Sequence, residues 1–108
     1  MAPPRLAAGL LVSALIRRIE AEGGSAMVLA KGDATSGAML VQLAERGVAG
    51  ALLERRLGID GYEWAATGPA DAGERRDYVA RRRRNDPDLW IVELDHRRAE
   101  QLLREVIG

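Results

Sequence analysis

Residues 81–93 have the sequence RRRRNDPDLWIVE, in which a run of arginines is followed by a proline and then by an apolar segment that starts with a tryptophan. The residue before a proline is pushed out of the helical region of backbone space, so Asp86-Pro87 predicts the end of a helix. The apolar residues after it predict a strand over Asp88–Asp95. This stretch therefore predicts a helix that ends on positive charge and leads directly into the strongest strand of the chain.

The predicted strand is apolar on both faces where it begins. Side chains alternate along a strand, so two sets of residues face opposite ways. One set is Trp90, Val92 and Leu94, and the other is Leu89, Ile91, Glu93 and Asp95. Such a pattern is typical of a central strand that other elements cover on both sides.

The rest of the chain predicts two more helices and four more strands. Apolar residues recur at helical spacing in the first helix, which ends at Gly23-Gly24. Its predicted buried stripe is Leu6, Leu10, Leu11, Leu15 and Ile19. The other predicted elements are strands near 25–31, 38–45, 50–57 and 62–67 and a closing helix over 96–107, and the helix that ends at Asp86-Pro87 covers 70–84.

Two predictions concern the early strands. The segments Ser25–Lys31 and Ala38–Glu45 flank a loop rich in glycine, aspartate and serine, which predicts a β-hairpin between them. Gly50–Leu57 contains good helix formers, and propensity alone favours a helix there. Because glycines bracket this short segment, we predict a strand, with a helix as the alternative.

Gly32 and Gly37 have the spacing of the two glycines in a phosphate-binding loop. Such a loop needs a lysine and then a serine or threonine directly after the second glycine, to reach phosphate and magnesium. Here Ala38-Met39 follows, and Lys31 precedes the first glycine. We therefore reject a phosphate loop.

The order α-β-β-β-β-α-β-α predicts an α+β fold with a mainly antiparallel sheet covered by helices. The 108 residues fit a single domain, 1–108. Sixteen basic and sixteen acidic residues cancel, so the chain lacks the broad basic field that drives general binding to nucleic acids or membranes. The apolar run of the first helix is too short to span a bilayer, and we expect a cytoplasmic protein without a membrane partner.

Cysteine is absent and histidine occurs once, as His96. This composition excludes disulfides and thiolate metal ligands and argues against a histidine-rich metal site. We expect no metal, no cofactor and no catalytic residue. His96 follows the last predicted strand, where we expect a helix cap or a surface residue.

The arginine run, Arg81–Arg84, lies at the C-terminus of its predicted helix. The helix dipole favours positive charge there, so a solvated helix end is the simplest interpretation. Successive helical residues point about 100° apart, so the four arginines cannot share one face. Two alternatives remain: contact with an anion such as nucleic-acid phosphate, or inward pairing of Arg82 or Arg83 with a carboxylate of the next strand.

Glu93 and Asp95 stand two residues apart on one face of the predicted strand. They could share a cation, hold an arginine or act as an acid/base pair, and we expect a structural ion pair. Trp64 and Trp90 are expected to anchor the core, since the chain has no phenylalanine. A partly exposed Trp90 beside the arginines would instead indicate a binding surface.

The run DPDLWIVE at residues 86–93, with Tyr78 and Arg81–Arg84 before it, resembles the bacterial DUF1491 family of uncharacterised proteins. The likeness extends from Arg5 to Asp95. Supporting matches are Arg17-Arg18, Lys31-Gly32-Asp33 with Gly37-Ala38, and Ala66-Thr67-Gly68-Pro69. The resemblance implies a small cytoplasmic bacterial domain, favours the strand at Gly50–Leu57 and carries over no catalytic residue.

From the sequence we predict a small non-enzymatic binding or interaction module whose partner is another protein or a second copy of the chain. The first alternative is a nucleic-acid-binding protein that uses Arg81–Arg84, and the more distant one is an enzyme that uses Glu93 and Asp95. The candidate interaction surface consists of Arg81, Arg82, Arg83, Arg84, Asp86, Asp88, Trp90 and Glu93.

Overall fold

The computed structural model describes residues 7–35 and 38–108, and within them lie three helices and one five-stranded sheet. The helices are α1 (Ala8–Ala21), α2 (Ala72–Asn85) and α3 (Ala99–Val106). The strands are β1 (Ser25–Ala30), β2 (Met39–Glu45), β3 (Val48–Gly58), β4 (Gly61–Ala66) and β5 (Trp90–Asp95). This order and the α+β class confirm the prediction, and the ambiguous segment 50–57 is a strand within β3. None of the described helices is long and apolar enough to cross a membrane.

The strands lie in the order β1-β5-β2-β3-β4. β5 pairs antiparallel with β1 and parallel with β2, whereas the β2–β3 and β3–β4 pairs are antiparallel. The sheet is thus mainly antiparallel, as predicted.

The predicted hairpin between Ser25–Lys31 and Ala38–Glu45 is wrong, because β5 lies between β1 and β2. Burial explains the arrangement: β5 is apolar on both faces and is therefore most stable in the centre of the sheet. Turn residues between two strands cannot reveal that a third strand from far along the chain enters between them. Ser36 and Gly37 of the predicted loop lie outside the described residues.

The main core lies on one face of the sheet, under α1 and α3. The sheet contributes Met39, Val41, Leu53, Trp64, Trp90, Val92 and Leu94 to it. α1 buries Leu11, Leu15 and Ile19, as predicted, together with Ala8 and Val12. Leu10 is 60% exposed and does not belong to the buried stripe, which Ala8 and Val12 complete instead, and Leu6 lies outside the described residues.

The opposite face of the sheet carries a smaller apolar cluster, under α2. Its buried members are Leu40, Leu52, Leu89 and Ile91. From α2 only Tyr78 and Val79 pack against this cluster, and the helix buries none of its residues. The two-sided burial predicted for β5 is confirmed, but α2 covers only part of its face.

Close backbone contact holds the segment before β5 against the segment after β1. Asp33 donates its backbone N–H to the carbonyl of Asp88 at 3.1 Å, and Trp90 Nε1 donates to the carbonyl of Asp33 at 2.7 Å. A Cβ atom on Gly32 would lie 2.7 Å from backbone atoms of Leu89 and Trp90, which is closer than Cβ atoms approach such atoms. The segment at Gly32-Asp33 therefore packs directly against residues 88–90, and this contact stabilises the fold.

Candidate binding groove beside helix α2

One long side of α2 is fastened to the sheet through Arg82. Its two terminal nitrogens donate to the two carboxylate oxygens of Glu54 on β3, each at 3.1 Å. Arg82 Nε also donates to Asp86 at 2.8 Å, and Nη1 donates to the hydroxyl of Tyr78 at 2.8 Å. The hydrogen bonds that Arg82 donates to Glu54 are the largest cause that raises the pKa of Arg82 above its usual value. The predicted inward turn of Arg82 is therefore present, although its partner lies on β3 and not on the strand that follows α2.

The start of α2 is fixed on the same side. Asp71 caps the helix and accepts a hydrogen bond from the backbone N–H of Glu74 at 2.9 Å. Arg75 donates to the carbonyls of Pro69 and Ala70. Together with Arg82, these contacts hold α2 to β3 and to the connection that follows β4.

The other long side of α2 faces an open groove of about 480 Å³. The groove is lined by Leu29, Gln42, Gly47, Ala49, Ala72, Arg76, Val79 and Glu93. Ala72, Arg76 and Val79 form the wall, because residues four and three apart share a helix face. The floor comes from β1, β2, β5 and the start of β3, and it belongs to the part of the sheet that α2 leaves uncovered.

Glu93 lies in the floor of the groove. It is half-buried, and its register partners are Gln42 on one neighbouring strand and Met27 on the other. Among the described residues, no side chain or backbone group forms a hydrogen bond or ion pair with its carboxylate. Gln42 uses Nε2 to donate to the carbonyls of Leu43 and Gly50 at 2.8 and 3.0 Å, which leaves its Oε1 as an acceptor. The floor therefore presents the carboxylate of Glu93 on β5 and the Oε1 acceptor of Gln42 on β2, whose amide is held towards β3, in partly apolar surroundings.

The eight residues of the predicted interaction surface do not form one surface. Arg81, Arg83 and Arg84 are exposed on the outer side of α2, and Asp88 is exposed after the helix. Arg82 and Asp86 belong to the contacts that hold α2 in place, and Glu93 opens into the groove. Trp90 requires a correction: it is 5% exposed and lies in the main core on the opposite face, because its ring fills the space under α1 and α3.

Asp95, the second carboxylate of the predicted pair, serves the turn between β2 and β3. Arg46 and Gly47 form this two-residue turn with φ angles of 51° and 80°, as a type I′ hairpin turn requires. Their backbone N–H groups donate to Asp95 Oδ1 and Oδ2, both at 2.8 Å. The expected ion pair is thus a pair of backbone hydrogen bonds, and it leaves Glu93 without Asp95 as a co-ligand. The described residues contain no group of three or more His, Cys, Asp or Glu side chains suited to a metal ion.

His96 joins three segments next to this turn. Its Nδ1 accepts a hydrogen bond from the backbone N–H of Arg98 at 2.9 Å, and its Nε2 lies 3.0 Å from the carbonyl of Glu22. A nitrogen that accepts from Arg98 carries no proton, so Nε2 carries the proton and donates to Glu22. α3 begins at Ala99 and no side chain caps it, so His96 is not a helix cap; it instead fixes the backbone that leads into the helix.

Several groove residues were not foreseen from the sequence. Gln42 offered a signal, because it is the one polar residue within the otherwise apolar run Met39–Ala44. Its position beside Glu93 depends on the parallel pairing of β2 with β5, which the predicted hairpin concealed. No sequence pattern placed Arg76 and Val79 in the groove, because the orientation of α2 on the sheet depends on the contact between Arg82 and Glu54.

Comparison with known proteins matches residues 6–104 to the family model described as protein of unknown function (DUF1491). The crystal structure of a DUF1491 family protein from Caulobacter crescentus CB15 is 34% identical, with 91% of this chain and 94% of that chain covered and a TM-score of 0.78. An NMR structure of a DUF1491 family protein from the same organism is 35% identical, covers 93% and 94% of the two chains and has a TM-score of 0.78. The solution structure of a protein from A. tumefaciens is 31% identical, with coverage of 86% and 87% and a TM-score of 0.68. No match is found among the curated proteins.

Proposed function

We propose that this chain, which belongs to the DUF1491 family, is a non-enzymatic module that binds another protein, and that its binding site is the groove between α2 and the sheet. The observation that carries the proposal is Glu93, a half-buried carboxylate without a partner among the described residues, in the floor of that groove. A groove carboxylate without a partner among the described residues is free to accept hydrogen bonds from a bound polypeptide, which favours a role in binding.

The size and lining of the groove support this proposal. Ligand sites in proteins are concave, commonly about 300–1,000 Å³, and mainly apolar with a few well-placed polar groups. The groove of about 480 Å³ combines Leu29, Val79 and the alanines with the polar ends of Gln42 and Glu93. Its opening along the sheet suits a segment of polypeptide better than an enclosed small molecule.

Strand β1 adds a second way to hold such a segment. It lies at the edge of the sheet, so its outer backbone groups have no neighbouring strand within residues 7–35 and 38–108. Its sequence, SAMVLA, has no charged residue, and Met27 is 60% exposed. Charges and prolines commonly protect edge strands from pairing, and β1 has neither, although a bulge between Val28 and Ala30 shortens the regular part of its edge. An extended partner segment can therefore form backbone hydrogen bonds with β1 while its side chains reach the groove.

The proposal includes a bacterial and cytoplasmic setting. It is supported by the relatives from Caulobacter crescentus and A. tumefaciens and by a composition without cysteine, which suits a reducing compartment. Fractionation of cells that express the tagged chain tests this location.

Selection from a displayed library of random peptides tests the function. We expect the wild-type chain to enrich related sequences, and the groove-filling variant Ala49→Trp to lose them. The matched control is Leu57→Trp, since Leu57 is 65% exposed on the β3–β4 hairpin and far from the groove lining. Enrichment that survives in Ala49→Trp, or no enrichment with the wild type, would contradict the groove as a binding site.

Nucleic-acid binding is a second candidate, favoured by the exposure of Arg83 and Arg84 at the end of α2. Arg82 is not available for it because it holds Glu54. Binding of labelled duplex DNA that falls steeply with salt, and that the double variant Arg83→Ala/Arg84→Ala abolishes without unfolding, would favour this candidate over the groove. The balanced total charge leads us to expect no such binding.

A further inference from the structure

We propose that the floor of the groove recognises one cationic side chain, a lysine or an arginine, which the partner polypeptide inserts between α2 and β5. This inference rests on the proposed function and adds the chemistry of the ligand. It is argued from the groups that line the groove and from their charges.

The floor offers oxygen acceptors on two adjacent strands. Gln42 and Glu93 are register partners on adjacent parallel strands, so their side chains leave the same face of the sheet side by side. Glu93 contributes two carboxylate oxygens, and Gln42 contributes Oε1, because its Nε2 is engaged with the backbone of β2 and β3. A ligand that satisfies these groups must bring donors and positive charge.

The apolar part of the groove suits the stem of the same side chain. Leu29 lines one side of the groove and Val79 lines the wall. Lysine and arginine have aliphatic stems that pack against apolar surface while the charged end reaches a polar group. A peptide that pairs with β1 would lie next to Met27, which is the register partner of Glu93 on that strand. The side chain then has to cross only β1 to reach the carboxylate.

Among the described residues that line the groove, Arg76 is the one with a cationic side chain. It lines the same groove from α2, yet it makes no ion pair with Glu93 among the described residues, and its side chain is exposed. Its positive charge therefore acts on an incoming cation as a repulsive neighbour. This predicts opposite effects for substitutions at the two positions: loss of binding at Glu93 and a gain at Arg76.

Other ligands fit the floor less well. Arg76 on the wall would attract a phosphate or a carboxylate, but Glu93 would repel either of them from the floor. Calcium ions take six to eight oxygen ligands, far more than one carboxylate and one amide supply. An organic cation with several N–H donors matches both the small number of acceptors and the apolar stem region.

The test is a titration monitored by backbone amide NMR signals. The probes are N-acetyl-lysine N-methylamide and N-acetyl-norleucine N-methylamide, which share the aliphatic stem and differ in the ammonium group. We expect the lysine probe to shift the amides of Leu29, Gln42, Val79 and Glu93 and to bind about tenfold more tightly than the norleucine probe. Glu93→Gln should remove this preference, Arg76→Gln should strengthen lysine binding, and the exposed-carboxylate control Asp88→Asn should change neither.

Two results would overturn the inference. Equal binding of both probes in the wild type and in Glu93→Gln would show a groove that takes apolar side chains, which leaves the proposed function standing and removes its cationic ligand. Absence of shifts at the groove amides with the lysine probe would also reject the cationic subsite. The proposed function would then be tested separately, by the peptide selection with Ala49→Trp.

Discussion

At the scale of single residues, several distinctive residues of the sequence prove to make contacts within the fold. Gly32 allows the backbone after β1 to touch the backbone before β5, and Trp90 fixes this crossing through its bond to Asp33. Asp95 satisfies a turn that requires positive φ at Arg46. The residue that stands apart is Glu93, whose carboxylate has no such internal task among the described residues.

We expect Gly32→Ala to lower the free energy of unfolding by about 1–3 kcal/mol, because a Cβ atom there collides with rigid backbone. Urea denaturation followed by tryptophan fluorescence measures this change. Gly50→Ala is the matched control, since a Cβ atom at Gly50 meets only the carbonyl oxygen of Leu43 at 3.6 Å. Equal stability of the two variants would show that the crossing at Gly32 is not tightly packed.

Asp95→Ala is expected to cost about 1–3 kcal/mol of stability, because two backbone N–H groups lose a charged acceptor and Arg46 loses the contact that favours its left-handed conformation. The exposed Asp88→Ala serves as the control in the same denaturation experiment. A loss of stability no larger than that of the control would show that Asp95 does not stabilise the turn.

At the scale of elements, α2 is the part of the molecule that depends most on polar contacts. It buries no residue, so the bidentate contact from Arg82 to Glu54 carries much of its attachment to the sheet. Both side chains are mostly shielded, at 23% and 17% exposed, which protects the pair from solvent screening. The groove keeps its wall only while this contact holds.

Arg82→Ala should loosen α2 and cost about 1–3 kcal/mol, whereas the neighbouring Arg83→Ala should have little effect because Arg83 is exposed. Hydrogen exchange of the α2 amides distinguishes the two variants, and we expect faster exchange in Arg82→Ala alone. Similar exchange in both would mean that Tyr78, Val79 and the Asp71 cap suffice to hold the helix.

The elements themselves were largely predictable from local patterns, and their pairing was not. The helix stop at Asp86-Pro87 and the two-sided apolar pattern of β5 follow from neighbouring residues, and both are confirmed. The predicted β1–β2 hairpin is wrong because strand pairing depends on contacts between residues far apart in the chain. The same limit hid the groove, since Gln42 meets Glu93 only through the parallel pairing of β2 with β5.

At the scale of the whole molecule, the sheet is covered unequally. α1 and α3 bury one face, α2 covers part of the other, and the remaining surface joins the groove to the open edge of β1. The candidate site therefore lies where a partner segment can pair with the edge of β1 and also insert side chains into the groove.

We expect the chain to remain a monomer at micromolar concentration. Pairing of β1 with a second β1 involves only six residues, interrupted by a bulge between Val28 and Ala30, and stable interfaces commonly bury more than about 1,000 Å². Sedimentation equilibrium at several concentrations tests this expectation. A mass that doubles with concentration would identify a second copy as the occupant of the edge and would contradict a foreign partner.

The most direct test of the account is a double-mutant cycle on the tightest peptide from the library selection. Its basic residue is replaced by norleucine, Glu93 is replaced by Gln, and calorimetry measures all four affinities. Contact between the two groups predicts a coupling of about 1.4 kcal/mol or more, a factor of ten in affinity. Effects that add to within about 0.5 kcal/mol would mean that the cation binds elsewhere, and they would contradict the role assigned to Glu93.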